Sequence, residues 1–211
     1  MKILNLYACL GGNRYKWGDE HEITAVEWDE ELARLYQERF PNDKVIVADA
    51  HQYLLDHYKE FDFIWSSPPC PTHSRFNVSM KTKRTMKYPD MALYQEIIFL
   101  KHYYSGKWVV ENVIPFYDLL IEGYKRHRHI YWTNFNLPSI LSNRKNPDLG
   151  RTKNLIDALS EFHDYNFKKY NGKQTIQKVA RNLVDYEAGK TILDTVMGIR
   201  RKENINQTEL F

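Results

Sequence analysis

Phe61 to Asn77 reads FDFIWSSPPCPTHSRFN: an apolar run (Phe61, Phe63, Ile64, Trp65) that stops at two serines and a double proline, with Cys70 immediately after. The run has the length and composition of a buried strand. Pro68 and Pro69 fix φ and remove two backbone donors, so the strand ends there and Cys70 is presented on a stiff turn. In open α/β sheets the C-terminal ends of strands carry the active site, and a thiol held there suggests a nucleophile. Taken alone, SSPPC also suits a rigid strand-ending turn whose cysteine packs as a small hydrophobe. Other segments must decide.

Working outward, the chain of 211 residues is long enough for one domain with a substantial core, and Cys9 and Cys70 are its only cysteines. With no secretory leader and no apolar run long enough to span a bilayer, a reduced cytosolic protein is expected, with Cys70 a free thiol. If the chain is phage-encoded, that compartment is the host cytoplasm. Net charge is only +3, but the cations cluster: Lys81, Lys83, Arg84 and Lys87 follow the cysteine, and Lys125, Arg126 and Arg128 come later. Such clusters suit a polyanionic partner, or else a solvated surface.

Upstream, Lys2 to Ala8 (KILNLYA) reads as a first strand ending at Leu10-Gly11-Gly12, whose glycines permit positive φ and close approach of a nucleotide-type cofactor. Glu22 to Trp28 reads as a second strand ending in Glu27. An acid at that position suits ribose hydroxyls, and Trp28 beside it could cover an adenine ring or serve as core. Asp29 then caps a helix with Leu32, Leu35, Tyr36 and Phe40 on its apolar face. Lys44 to Val47 is a third strand leading to Asp49 and a helix over Ala50 to Tyr58. Downstream, Asp90 caps an amphipathic helix through Met91, Leu93, Tyr94, Ile97, Ile98, Leu100 and Tyr104, and Lys107 to Val110 is a fifth strand delivering Glu111-Asn112-Val113.

This strand–helix alternation predicts a mostly parallel sheet with right-handed crossovers. Gly11, Gly12, Glu27, Asp49, Cys70 and Glu111 all fall at predicted C-terminal strand ends. After Pro115 a short helix is expected to about Gly123, then a strand over His129 to Phe135. Beyond it, Pro138, Pro147, Gly150 and Gly172 break weak helical segments, and Gln174 to Met197 reads as helical. The polar end, IRRKENINQTELF, is expected to be mobile.

These residues resemble the DNA cytosine-5 methyltransferase family, especially its short phage-type members, from Lys2 to about Phe135. Leu6-Tyr7-Ala8-Cys9-Leu10-Gly11-Gly12 is similar to the cofactor-loop motif, Glu27-Trp28 to the ribose and adenine pair, and Asp49 to the acid that faces the adenine amino group. Pro68-Pro69-Cys70 resembles the catalytic proline–cysteine motif. Glu111-Asn112-Val113 matches the glutamate motif residue for residue, and Arg126-His127-Arg128 resembles the arginine pair. Asn182-Leu183-Val184, followed by Gly189, resembles the asparagine motif that closes the cofactor pocket.

The resemblance implies a Rossmann-like, S-adenosylmethionine-dependent methyltransferase fold: α/β, mostly parallel, with an antiparallel strand near the end and a small helical C-terminal part. It implies a catalytic and cofactor-binding core over 1–135, a short irregular and helical region over 136–197 packing on it, and a flexible tail over 198–211. It implies methyl transfer from S-adenosylmethionine to cytosine C5 in DNA, in a phage or restriction–modification setting, through a Cys70–C6 adduct and base flipping. Glu111, Arg128 and Arg126 are the further catalytic residues implied. The cofactor would be bound by Tyr7, Leu10, Gly11, Gly12, Glu27, Trp28, Asp49, Ala50, Pro68 and Asn182. A cysteine adjoining positive charge is expected to favour its thiolate. No metal is expected, and a monomer is.

Two departures stand out. Cys9 occupies the place of the family's usual first glycine, and the segment after the arginines is too short for the usual target-recognition domain. Sequence selectivity is therefore expected to be loose, with phosphate contacts from Lys81, Lys83, Arg84 and Lys87. Alternatives are an RNA substrate such as tRNA, amino-group methylation at cytosine N4, and a degenerate DNA-binding module. Finally, Gln207-Thr208-Glu209-Leu210-Phe211 resembles the peptide with which bacterial replication proteins dock on the sliding clamp, through Gln207, Leu210 and Phe211.

Overall fold

Residues 1–75, 87–148 and 153–199 are described by the computed structural model. The apolar runs become strands: β1 (Lys2–Leu6), β2 (Glu22–Glu27), β3 (Lys44–Val47), β4 (Phe63–Ser66), β5 (Lys107–Val113), β6 (Tyr124–Arg126) and β7 (His129–Thr133). All four residues of β4 are buried, as expected of a parallel strand covered on both faces. The seven strands form one sheet in the order β3-β2-β1-β4-β5-β7-β6. β1 to β5 pair in parallel, and β7 runs antiparallel to both β5 and β6. The chain winds outward from β1 to β3 and returns to place β4 on β1's other side. That reversal opens a crevice beyond the C-terminal ends of β1 and β4, where doubly wound sheets bind ligands.

The helices are α1 (Glu30–Arg39), α2 (Ala50–His57), α3 (Ala92–Tyr103), α4 (Leu155–His163), α5 (Ile176–Asn182) and α6 (Tyr186–Val196). Asp29 caps α1 by accepting the Glu31 and Leu32 amides, and Asp49 caps α2 by accepting that of Gln52. One sheet face (Leu4, Leu6, Ile64, Val110, Ile130) packs on Leu54 of α2 and on Leu93, Ile97 and Leu100 of α3. The other (Ile3, Phe63, Trp65, Val109, Tyr131) packs on Trp17 and on Ala188, Ile192 and Leu193 of α6. Leu159 of α4 and Val179 of α5 join Leu10, Leu32 and Leu35 in a third cluster. The C-terminal helices therefore cover the second face directly, each fully buried Leu or Ile contributing about 1.5–3 kcal/mol.

Several boundaries differ from the sequence expectation. β5 continues through Glu111, Asn112 and Val113, because β7 supplies an antiparallel partner as far as Val113–His129. No helix follows Pro115. There the chain is tied crosswise, Ser74 bridging to Pro115 and the Phe116 amide donating 3.1 Å to the His73 carbonyl. Residues 174–197 do not form one helix, because Leu183 turns extended and Asp185 caps a new helix by accepting the Glu187 amide. In α3 the N-cap is Met91, with Asp90 accepting the Ala92 amide at 3.0 Å, and Met91 and Ile98 are exposed rather than core.

Candidate active site

The loop after β1 is shaped by three residues with positive φ: Tyr7 (56°), Cys9 (48°) and Gly11 (67°). Only glycine enters that region without strain. Gly11 is required on packing grounds too, since a Cβ there would lie 2.4 Å from the Phe40 ring. A Cβ on Gly12 would lie 2.3 Å from the Val184 carbonyl, so the Asn182-Leu183-Val184 segment presses on the cofactor loop from the C-terminal side. Cys9 packs among Leu10, Val179 and Leu183, and its thiol sits far above the ordinary range through burial, then Glu27's charge.

Glu27 lies buried at the end of β2, Oε2 accepting the Cys9 amide at 2.8 Å and Oε1 the Asp29 amide at 3.0 Å. Burial raises its pKa, and those two amides oppose the rise. Each oxygen keeps a lone pair for a further donor. Trp28, next along, is 63% exposed, so its indole face is open. Asp49 is exposed and Ala50 buried at the start of α2. An open indole, a carboxylate with spare acceptors and a glycine turn fit the adenosyl part of S-adenosylmethionine. Asp29 fastens the C-terminal region to this wall, accepting from Tyr170 Oη and Gln174 Nε2, each at 3.0 Å. Asn182 is exposed at the end of α5.

Across the crevice, Pro68 is buried and Cys70 half-buried. The Cys70 carbonyl accepts the amides of His73 and Ser74, both at 3.0 Å, closing a tight turn behind the thiol. Asn112 Nδ2 donates 2.9 Å to the Pro68 carbonyl, which locks the proline pair to the end of β5. Glu111, one residue earlier and on the opposite sheet face, is buried with Oε1 3.8 Å from His129 Nε2. The Ile114 amide donates 3.1 Å to the Arg128 carbonyl, so the arginine pair is tied to the same end of β5.

Cys70 is pushed up to about 11, by burial first and then by the charge of Glu111, with Lys178 of α5 acting weakly the other way. Among the described residues burial and Glu111 outweigh Lys178, so the thiol lies above its ordinary range and not below it as expected. Arg126 is occupied structurally, donating to the carbonyls of Pro138 (2.7 Å) and Lys125 (2.9 Å), whereas Arg128 is exposed. Lys87 is exposed as well. Lys81, Lys83, Arg84, Gln207, Leu210 and Phe211 lie outside the described residues.

Sequence reasoning missed a group here. Tyr7, His51 and Ser66 all bond to the carboxyl of Glu96, on α3. The signal was present: Glu96 sits three residues after Leu93 and four before Leu100, a charge inside the helix's apolar stripe.

The family model for C-5 cytosine-specific DNA methylase matches residues 1–119, which span β1 to β5 and both motif-bearing loops. The chain belongs to this family. Membership bears out the expected fold and S-adenosylmethionine as the family's cofactor.

Among solved structures, the chain is similar to a DNMT2 variant from Spodoptera frugiperda at 26% identity and TM-score 0.40, covering 53% of this chain and 35% of that one. It is similar to a putative DNA modification methyltransferase encoded within an Escherichia coli prophage at 16% identity and TM-score 0.39, covering 56% and 33%. NSun6 from Pyrococcus horikoshii aligns at 20% identity and TM-score 0.40, covering 54% and 34%. The chain therefore spans about a third of the length of these structures. No curated protein matches the sequence. Among the described residues, no helix is long and apolar enough to cross a membrane.

Proposed function

We propose that this methylase-family chain transfers a methyl group to C5 of cytosine in DNA through a transient bond between Cys70 Sγ and cytosine C6. The observation that carries the reading is the placement of Cys70 and Glu111 at the ends of adjacent strands, close enough that the carboxylate's charge raises the thiol. S-adenosylmethionine, when bound, supplies an electrophilic methyl on a sulfonium.

The chain's residues do the rest. Cytosine C5 is a weak nucleophile until a thiolate adds at C6 and pushes electron density towards C5 and N3. Glu111, protonated, delivers its proton to N3 as that density arrives, and the Arg128 guanidinium stabilises charge at O2. Burial disfavours the thiolate first and Glu111's charge second, so a Glu111 that carries the proton it donates also removes the second of these effects. Solvent takes the thiol proton as the Cys70 thiolate forms; after C5 takes the methyl, loss of the C5 proton to solvent expels Cys70 as thiolate, and N3 returns its proton to Glu111. A duplex substrate must have its target base flipped out of the stack to reach Cys70.

Beside Arg128 lies an open cleft of about 750 Å³, bordered by His127, Asn143, Lys145 and Asn146. With Lys87, these groups support binding to a nucleic-acid backbone, and affinity should fall steeply with salt. Lys81, Lys83 and Arg84 are proposed for the same role, from sequence. Residues 1–135 are proposed as the catalytic core, the protein as a monomer, and Gln207, Leu210 and Phe211 as a clamp-docking peptide. Titration of a bacterial sliding clamp with wild type and with Leu210→Ala/Phe211→Ala tests the last, equal binding by both or none by either removing it.

The activity is tested by incubating the chain with methyl-labelled cofactor and either DNA or RNA. Label in 5-methylcytosine from DNA supports the reading. Label on an exocyclic amine, or in RNA alone, overturns it.

A further inference from the structure

Glu96 is fully buried, yet it lies on none of the bonds that the reaction makes or breaks. Its two oxygens collect three donors from three elements that border the cofactor crevice. Tyr7, in the loop after β1, donates to Oε1 at 2.6 Å, and His51 Nδ1 in the first turn of α2 lies 3.0 Å from the same oxygen. Ser66, the last residue of β4, donates to Oε2 at 2.6 Å. A carboxyl taken out of water is costly unless its lone pairs are used, and here all three partners come from elsewhere in the chain.

Each partner sits beside a residue of the proposed site. Tyr7 begins the glycine loop and is held at positive φ. Burial, followed by the charge of Glu96, drives its phenol far above the ordinary range, so Tyr7 is a fixed donor. His51 is two residues past Asp49, and Ser66 is two before Pro68. Glu96 thus fastens together the loop that cradles the cofactor, the helix start that faces its base and the strand that carries Cys70.

We propose that Glu96 is the positioning residue of the cofactor pocket, setting the mutual spacing of the Tyr7 loop, the Asp49–His51 turn and the end of β4. The proposal rests on the methyltransferase reading above. His51 adds a pH dependence. Its hydrogen bond to Glu96 raises it against the opposing effect of burial, and Asp49 on its own helix and Asp90 before α3 add negative charge facing it. A raised imidazole pKa means that the charged His51–Glu96 pair is present at lower pH and lost as pH rises through that value. Cofactor affinity in the wild type should weaken over that rise.

The test uses the full chain with S-adenosylmethionine in titration calorimetry at several pH values, alongside steady-state kinetics. Glu96→Gln keeps the volume and removes the charge, while Ser66→Ala removes one donor and leaves Glu96 in place. Glu96→Gln and Ser66→Ala should each raise the cofactor Kd about tenfold, leave kcat at saturating cofactor within about twofold and leave KM for DNA unchanged. Glu96→Gln should also flatten the pH dependence of the Kd. Should Glu96→Gln fail to fold, Ser66→Ala carries the test.

Cofactor affinities within twofold of wild type, or kcat falling while both KM values rise as for a generally loosened protein, overturn the proposal. A wild-type chain that does not bind the cofactor overturns instead the reading of the site on which it rests. Wild-type binding with unaffected variants removes the positioning role alone.

Discussion

The side-chain amide of Asn112 donates a 2.9 Å hydrogen bond to the carbonyl of Pro68, joining the end of β5 to the proline pair that presents Cys70. The middle residue of Glu111-Asn112-Val113 therefore acts on the loop of the proposed nucleophile, while its neighbour Glu111 faces the other side of the sheet.

Asn112→Ala should release that loop. A misplacement of the thiol by about 1 Å costs on the order of 10²-fold in rate, and the unsatisfied Pro68 carbonyl about 1–3 kcal/mol of stability. Kinetics and thermal melts check this, with cofactor affinity expected to stay at its wild-type value.

Burial first and then the charge of Glu111 hold Cys70 high, so Glu111→Gln should make the thiol more acidic. Iodoacetamide alkylation of Cys70, followed by mass spectrometry across pH, reads this directly. Wild type should react appreciably only as pH climbs towards about 11, and Glu111→Gln should shift the profile to lower pH while losing methyl transfer by about 10²–10⁴-fold.

Trp28 is too exposed to matter for the core. Trp28→Ala should leave the melting temperature unchanged and weaken S-adenosylmethionine about tenfold, the size of a lost ring contact of roughly 1.4 kcal/mol. Calorimetric titration checks both the sign and the size.

Below the cofactor loop, Arg14 and Asp43 form a buried two-point ion pair, Nε–Oδ2 at 2.9 Å and Nη2–Oδ1 at 3.0 Å, with Tyr36 donating to the same carboxylate. Asp43→Ala strands the guanidinium, because Asp19, its other partner, is exposed. A loss of about 3–5 kcal/mol is expected, or on the order of 10 °C in melting temperature for a chain of this size.

Much of this arrangement was legible because local and global signals agree. In β4, four buried residues end at a double proline, and nothing in that stretch offers an alternative to a strand followed by a stiff turn. The Asp29 cap was equally plain. What was not legible depended on distant partners. The segment after Pro115 has helical composition, yet His73 and Ser74 bind it crosswise and keep it extended. The single helix read over 174–197 breaks because Val184 must reach Gly12, although Asp185 followed by Glu187 was a usable capping signal. Cys70 was expected to have its thiolate favoured by adjoining positive charge. Among the described residues burial acts on its proton first, and the charged groups that act next, Glu111 from β5 and Lys178 from α5, are remote in sequence and come close only in the fold.

The covalent step is tested most directly with DNA carrying 5-fluorocytosine, in which fluorine at C5 replaces the proton whose loss releases the enzyme. With S-adenosylmethionine present, the wild type should form a complex that survives denaturation, and digestion should place the modified base on the Cys70 peptide. Cys70→Ser should form none. Efficient methylation of ordinary DNA without any trapped complex, or an equal complex with Cys70→Ser, would contradict the account.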